Sequence, residues 1–369
     1  MTEELTLPRF CAAAFLLDTL VPRGLKSVKT PFEIVKNSEN LVEKTRCGAS
    51  KLRFLDKVLR KAYHVRSILC GKEDLNMPII DGQEKQPIVA ICYDFDKTLS
   101  PDDMQAQGFI QSVGYDVAKF WEETGKLARE NNMDSNLAYM YKMVQEAKGN
   151  LVFSRASLEE YGSRVKLFDG VNGWFERVRE YGLRHGVKVE HYIISSGLKE
   201  MIDGTRIARE GAFEKIYASS FYFDEHGMVK WPAQVVNYTN KTQYLFRISK
   251  GVLDINDAGV NDYYAPEDIR IPFKNMVYIG DSDTDVPCMK LVNSYGGHSI
   301  GVYNPYTGDK NKVYKMIREN RIRYYAAADY TEGSQIDRLV KSIIDVTEAE
   351  NRLDIMHEES MRQAVAGEN

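Results

Sequence analysis

Pro87-Ile-Val-Ala-Ile-Cys-Tyr-Asp-Phe-Asp-Lys-Thr-Leu99 is the stretch on which the fold turns. Its apolar half, Ile88 to Tyr93, is too short for a globular helix and carries no polar alternation, so it reads as a strand buried on both faces, as in a parallel sheet. The strand ends on two carboxylates, Asp94 and Asp96. Two acids at one strand end repel each other, and metal binding or catalysis makes that repulsion tolerable. For an isolated Asp-x-Asp the competing reading is a pair of turn residues.

Two further apolar runs follow the same pattern. Tyr192 to Ile194 leads into Ser195-Ser196-Gly197, and Met276 to Ile279 leads into Gly280-Asp281-Ser282-Asp283-Thr284-Asp285. In an open parallel sheet ligands collect at the carboxyl ends of strands, so all three runs should deliver their polar residues to one rim. Three acids in five residues attract a hard cation. Asp254-Ile-Asn-Asp-Ala-Gly259 resembles a calcium loop, but Ala258 and Ala265 stand where ligands belong; residues 252–274 read instead as a surface excursion.

Between the first and second runs the chain looks helical. Asp116 is a good N-cap for a segment carrying Val117, Phe120, Trp121 and Leu127; Ser135 would cap one carrying Leu137, Tyr141 and Val144; Ser157 with Glu160 has the pattern of a capping box. The insert is long enough to be a small helical cap. Its aromatic residues Phe120, Trp121, Tyr139, Tyr141, Tyr161 and Trp174 could stack on a base or sugar, but aromatic residues at helical spacing are more often core, and core is the expectation. His185 and His191 read as helix-end and strand-start residues, and Cys92 and Cys288 as small core side chains. Further on, Phe221 to Phe223 and Met228 to Trp231 flank Asp224-Glu-His-Gly227, a hairpin turn.

The whole chain has 369 residues, 43% of them hydrophobic, enough for one or two ordinary cores. Its 49 basic and 53 acidic residues net −4, which gives no global reason to expect a polyanion as partner. Five cysteines without a CxxC pair argue against a zinc site or a disulfide framework and fit a reducing cytoplasm. No membrane association is expected: Phe10 to Val21 is interrupted by Asp18 and is too short to span a bilayer, and Glu3 and Glu4 sit where a signal peptide would be basic. The charge is uneven. The first 85 residues hold 15 Lys plus Arg against 11 Asp plus Glu, with the excess between Lys44 and Lys72. Leu52, Leu55, Leu59 and Tyr63 recur there at helical spacing, so a basic amphipathic helix is expected, more readily a solvated face than a nucleic-acid contact; Pro78, Asp81, Gly82 and Pro87 then mark a linker.

Taken together, Asp94-Phe-Asp-Lys-Thr, Ile193-Ile-Ser195, a downstream lysine, and Gly280-Asp281 with Asp285 resemble the motifs of the haloacid dehalogenase superfamily of aspartate-nucleophile phosphatases, in order and in spacing. The resemblance covers roughly residues 86–349. It implies an α/β fold, a Rossmann-like parallel sheet with an inserted α-helical cap, and leaves unexplained the first 85 residues, which read as an N-terminal helical extension. The expected domains are a core of 86–99 and 188–349, a cap of 100–187, a basic extension of 1–85 and a C-terminal tail of 350–369. The helical cap, and the short interval from Ser195 to Lys241, are similar to the branch that includes phosphoserine phosphatase.

The resemblance also implies roles. Asp94 would be the nucleophile, and Asp96 the acid and then the base, which needs a carboxyl held above its usual range. Mg2+ would be held by Asp94, by the backbone carbonyl of Asp96 and by Asp281, with Asp285 supporting it. Ser195 would bind phosphate with help from Ser196 and Gly197, the doubled serine leaving Ser196 as an alternative. Lys241, at the start of a segment carrying Tyr244, Leu245 and Ile248, best fits the phosphate-neutralising lysine, ahead of Lys250, Lys230 and Lys274. Asp283 matches no implied role, and Thr284 stands where many relatives carry Asn. The implied reaction is hydrolysis of a small phosphorylated metabolite. The rivals are phosphoryl transfer within the same superfamily, or a nucleic-acid-binding or regulatory protein built on this scaffold. The substrate and the oligomeric state are not legible.

Overall fold

The computed structural model describes residues 86–367. The expected basic extension of residues 1–85, its amphipathic helix and most of the linker lie outside the described residues.

The first strand, β1 (Ile88–Tyr93), is the middle of a seven-stranded sheet. Its neighbours are β2 (Lys188–Leu198) on one side, continuing to β3 (Lys215–Phe223) and β4 (Val229–Gln234), and β5 (Met276–Gly280) on the other, continuing to β6 (His298–Tyr303) and β7 (Tyr324–Ala327). All pairings are parallel except β3 with β4, the hairpin expected around Asp224–Gly227, where Gly227 takes φ 74°. The three runs read from the sequence are therefore three adjacent strands pointing the same way, with their polar ends on one rim.

Alternation along β1 divides the core in two. Val89, Ile91 and Tyr93 face one cluster with Trp174, Phe175, Ile336 and Val340; Ala90 and Cys92 face the other with Leu245, Ile248, Cys288 and Met289. Cys92 and Cys288 are thus small core residues, as expected. Burial on both faces explains why the strand lacks polar alternation. No helix among the described residues is long and apolar enough to cross a membrane.

The cap is smaller than the sequence suggests. It contains two short helical turns and three longer helices, α1 (Val117–Glu130), α2 (Ser135–Ala147) and α3 (Arg155–Ser163). The next helix, α4 (Val171–Arg184), lies on the sheet as the crossover from β1 to β2: Trp174 Nε1 donates to Tyr93 Oη at 2.7 Å, and Phe175 O is 3.2 Å from the His191 ring. The expected cap of 100–187 therefore gives up its last helix to the core. Helical periodicity specifies a buried face but not the layer that buries it.

Two caps are also corrected. Asp134, not Ser135, accepts the first N–H groups of α2, and Ser154 with Ser157 forms the capping box of α3. At the chain's end a single helix, α8, runs from Gln335 to Gly367 with no break at 350, so the expected boundary between core and tail falls inside one helix; before it come α5 (Thr242–Lys250), α6 (Val286–Ser294) and α7 (Asn311–Arg318). Residues 252–274 are, as expected, an irregular excursion with short 3-10 turns.

Candidate active site

The end of β1 folds so that both of its carboxylates serve one cleft. Asp94 N–H extends the sheet by donating to Ile279 O at 2.9 Å, after which Lys97 takes the left-handed conformation (φ 58°) and the N–H groups of Thr98, Leu99 and Ser100 all converge on Phe95 O. Phe95, fully buried between the two acids, anchors the turn. Asp96 Oδ1 accepts from Met104 N at 2.8 Å, and a Cβ at Gly197 would come 2.8 Å from Asp96 Oδ2 and 2.5 Å from Met104 Cε. The end of β2 approaches this closely because residue 197 is glycine.

Behind the cleft stands a buried charge relay. Asp285, at the N-cap position of α6, is fully buried; its Oδ1 accepts from Lys241 Nζ at 2.8 Å and from Tyr278 Oη at 2.9 Å, and its Oδ2 accepts from Ser282 N and Oγ, both at 3.0 Å. Lys241, also fully buried, reaches past Asp285 to stand 3.3 Å from Asp94 Oδ1. Gly280 makes room, since a Cβ there would lie 2.6 Å from the Asp285 carboxylate. Burial pulls the Lys241 ammonium down, but the charges of Asp285 and Asp94 outweigh it and hold the ammonium well above its usual range.

The carboxyls bear the opposite consequence. Burial, and secondarily the Asp285 charge, pushes Asp94 up to about 6 and Asp281 up to about 7. Asp96 is raised well above the carboxylate range, by burial first and then by Asp103 and Asp94.

Asp94, Asp281 and Asp285 each bring an oxygen within 4.8 Å of the others, and the buried Asp94 Oδ1 faces the Lys241 ammonium at 3.3 Å with no well-aligned hydrogen bond among the described residues. An all-carboxylate set fits a hard divalent cation such as magnesium. Asp94 and Asp281 are the better candidates for direct contact, because both Asp285 oxygens are already engaged.

Of the residues singled out in the sequence, Asp94, Asp96, Ser195, Ser196, Gly197 and Asp281 line one cleft of about 250 Å³, with Lys241 and Asp285 directly beneath. Ser195 Oγ accepts from Gly197 N at 3.1 Å, while Ser196 Oγ is buried without a partner among the described residues, so both hydroxyls remain in play. The other lysines are elsewhere: Lys250 binds Val260 O and Asp262 O, Lys230 pairs with Asp224, and Lys274 pairs with Glu350 and Asp354. Asp283 is exposed beside Arg321, outside the cleft. His191 is locked in the core between Tyr93 Oη and Phe175 O, and burial drops it to about 3.

The sequence reading missed part of the lining. Lys312, at the start of α7, lies 3.7 Å from Asp281 Oδ2, and Asn136 faces the cleft from α2. Lys312 could have been found through β6, since a loop at the carboxyl end of that strand must reach the same rim. Among the cap aromatics, Trp121 and Tyr139 line the cleft, whereas Phe120, Tyr161 and Trp174 are core and Tyr141 is exposed. Tyr139 Oη donates to Ser196 O at 2.9 Å, and Asn136 Nδ2 donates to Val236 O at 2.7 Å, tying the cap to the core on either side of the cleft.

The family model of haloacid dehalogenase-like hydrolases matches residues 91–290, more than half of the chain. An uncharacterised protein of Borreliella burgdorferi is 30% identical over 277 residues, 69% of this chain and 95% of its own. Among solved structures, a HAD family hydrolase of Salmonella enterica subsp. enterica serovar Typhi aligns over 69% of this chain and 71% of its own, at 16% identity and a TM-score of 0.46. A phosphoserine phosphatase captured as a phospho-aspartyl intermediate analogue aligns over 69% and 99%, at 16% identity and a TM-score of 0.42.

Proposed function

The chain belongs to the haloacid dehalogenase-like hydrolases, and from that premise we propose that it hydrolyses phosphomonoesters of small metabolites, with magnesium and through a phosphorylated Asp94. The observation that carries this reading is the buried Asp94 carboxylate, whose Oδ1 is ion-paired at 3.3 Å with a fully buried lysine, with Asp96 on the same cleft. Asp94 and Asp281 would hold the magnesium, which when bound offsets the negative charge of the phosphoryl oxygens.

Asp94 attacks phosphorus, and the ester oxygen leaves as an alcohol once it has a proton. Asp96 supplies that proton: burial and its acidic neighbours keep its carboxyl above the usual range, which suits an acid, and the same group then takes a proton from the water that hydrolyses the aspartyl-phosphate. Splitting the displacement in this way replaces one difficult step with two easier ones. Lys241 keeps its charge against two carboxylates and so can balance the transferring group, and the Ser195 and Ser196 hydroxyls offer donors to its oxygens. Tyr139 and Trp121 line the cleft from the cap side.

The reading is tested by phosphate release from a generic aryl phosphate with magnesium. Release should be metal-dependent and fall by about four orders of magnitude in Asp94→Asn, in which the nucleophile is lost. Equal release by the two proteins, or none by either, would sink it.

A further inference from the structure

The cleft has two unlike walls. Below are carboxylates and lysines; above, the cap helices α1 and α2 contribute Trp121, Asn136 and Tyr139, all uncharged, while Asp103 at the edge of the cap is paired with Lys97. We infer that the leaving group is an uncharged, hydroxylated sugar ring, free or as part of a nucleoside, rather than an amino acid; the inference rests on the phosphomonoesterase reading and names its substrate class.

The Trp121 ring is held edge-to-face by Phe120 at 5.3 Å and by Tyr139 at 5.9 Å, so its position does not depend on a ligand. Its Nε1–H is buried with no acceptor among the described residues. A buried donor of this kind asks for an acceptor from whatever fills the cleft. Asn136 spends Nδ2 on Val236 O and keeps Oδ1 as an acceptor. A sugar hydroxyl can accept from the one and donate to the other, and the C–H face of a sugar ring packs on an indole.

An amino acid would instead bring an ammonium and a carboxylate, each calling for a counter-charge in the cleft. The charged groups nearby are already committed. Lys142 is paired with Glu123 at 2.7 Å and Glu146 at 2.9 Å, Lys97 with Asp103 at 2.9 Å, and Lys312 is turned toward Asp281 at 3.7 Å.

The test is binding to Asp94→Asn protein with magnesium, measured by calorimetry with ribose 5-phosphate, a hexose 6-phosphate, a nucleoside 5′-monophosphate and phosphoserine. At least one sugar-bearing ligand should bind about tenfold or more tighter than phosphoserine. Tighter binding of the free sugar phosphates would assign the wall to the sugar alone, and tighter binding of the nucleotide would add a base to it. Trp121→Phe on the same background keeps a ring and deletes the donor, and should narrow the preference several-fold. Phosphoserine binding as tightly as the sugars, or a preference unchanged by Trp121→Phe, would overturn the inference. Because binding is read without turnover, it is decided separately from the aryl phosphate assay.

Discussion

The floor and the cap-side wall of the cleft differ in how they are built. The floor, with Asp94, Asp281, Asp285 and Lys241, is a set of buried charges held by strand ends and by one another. The wall, with Trp121, Asn136 and Tyr139, is neutral and held by ring contacts and two hydrogen bonds to backbone carbonyls. Buried charges destabilise unless paired, and evolution keeps such a cluster where chemistry needs it. On the proposed reading the reaction is encoded in the floor, and selectivity where packing leaves a neutral group facing inward.

The largest effect on stability should come from Lys241. Lys241→Met leaves Asp285 and Asp94 without their shared counter-charge, and should lower stability by about 3–5 kcal/mol, as for breaking a buried ion pair. Urea unfolding measures it, and saturating magnesium should restore part of the loss; a neutral substitution would mean that the floor is not held by charge.

The acids provide the next contrast. In metal-free protein Asp94 and Asp281 sit near 6 and 7, above the roughly 3.9 of an unfolded aspartate. The native state therefore keeps protons that the unfolded state has lost, so these groups make stability fall as pH rises from about 4 to 7, by up to roughly 1.4 kcal/mol per pH unit for each carboxyl. Asp281→Asn should remove part of that fall, and magnesium should flatten it in the parent protein. Identical pH profiles for parent and variant without metal would contradict the burial account.

Gly197→Ala probes the join between floor and wall. Its Cβ would press on Asp96 Oδ2 and Met104 Cε, so activity should drop by about 100-fold through displaced geometry, with stability down by roughly 1–3 kcal/mol. Unchanged kcat would show that the loop has slack. The smallest effect belongs to the wall: Tyr139→Phe deletes the bond to Ser196 O and should cost about 1 kcal/mol, read as a few-fold rise in KM with kcat nearly constant.

The same division sets how much was legible beforehand. Asp94, Asp96, Asp281 and Asp285 follow apolar runs in short, fixed patterns, and strand ends of a parallel sheet share a rim, so both the central strands and the acids could be read in one dimension. Lys241 needed the fold to separate it from Lys250, which sits at the other end of the same helix and binds the surface excursion. The wall was not readable, because Phe120 and Trp121 are neighbours in sequence yet point about 100° apart on a helix, one into the core and the other to the cleft. Nothing local says which. Helix α4 was misplaced in the cap for a related reason, since amphipathicity does not name the partner surface, and β6 and β7 are short strands whose role is fixed by their neighbours.

On the proposed mechanism Asp94 carries the phosphoryl group. Its most direct test is acid quenching of a single turnover followed by mass spectrometry of the peptides. A phosphate adduct on the peptide holding Asp94, absent from Asp94→Asn protein, is the predicted result; full phosphate release with no adduct at any quench time, or an adduct on another residue, would contradict it.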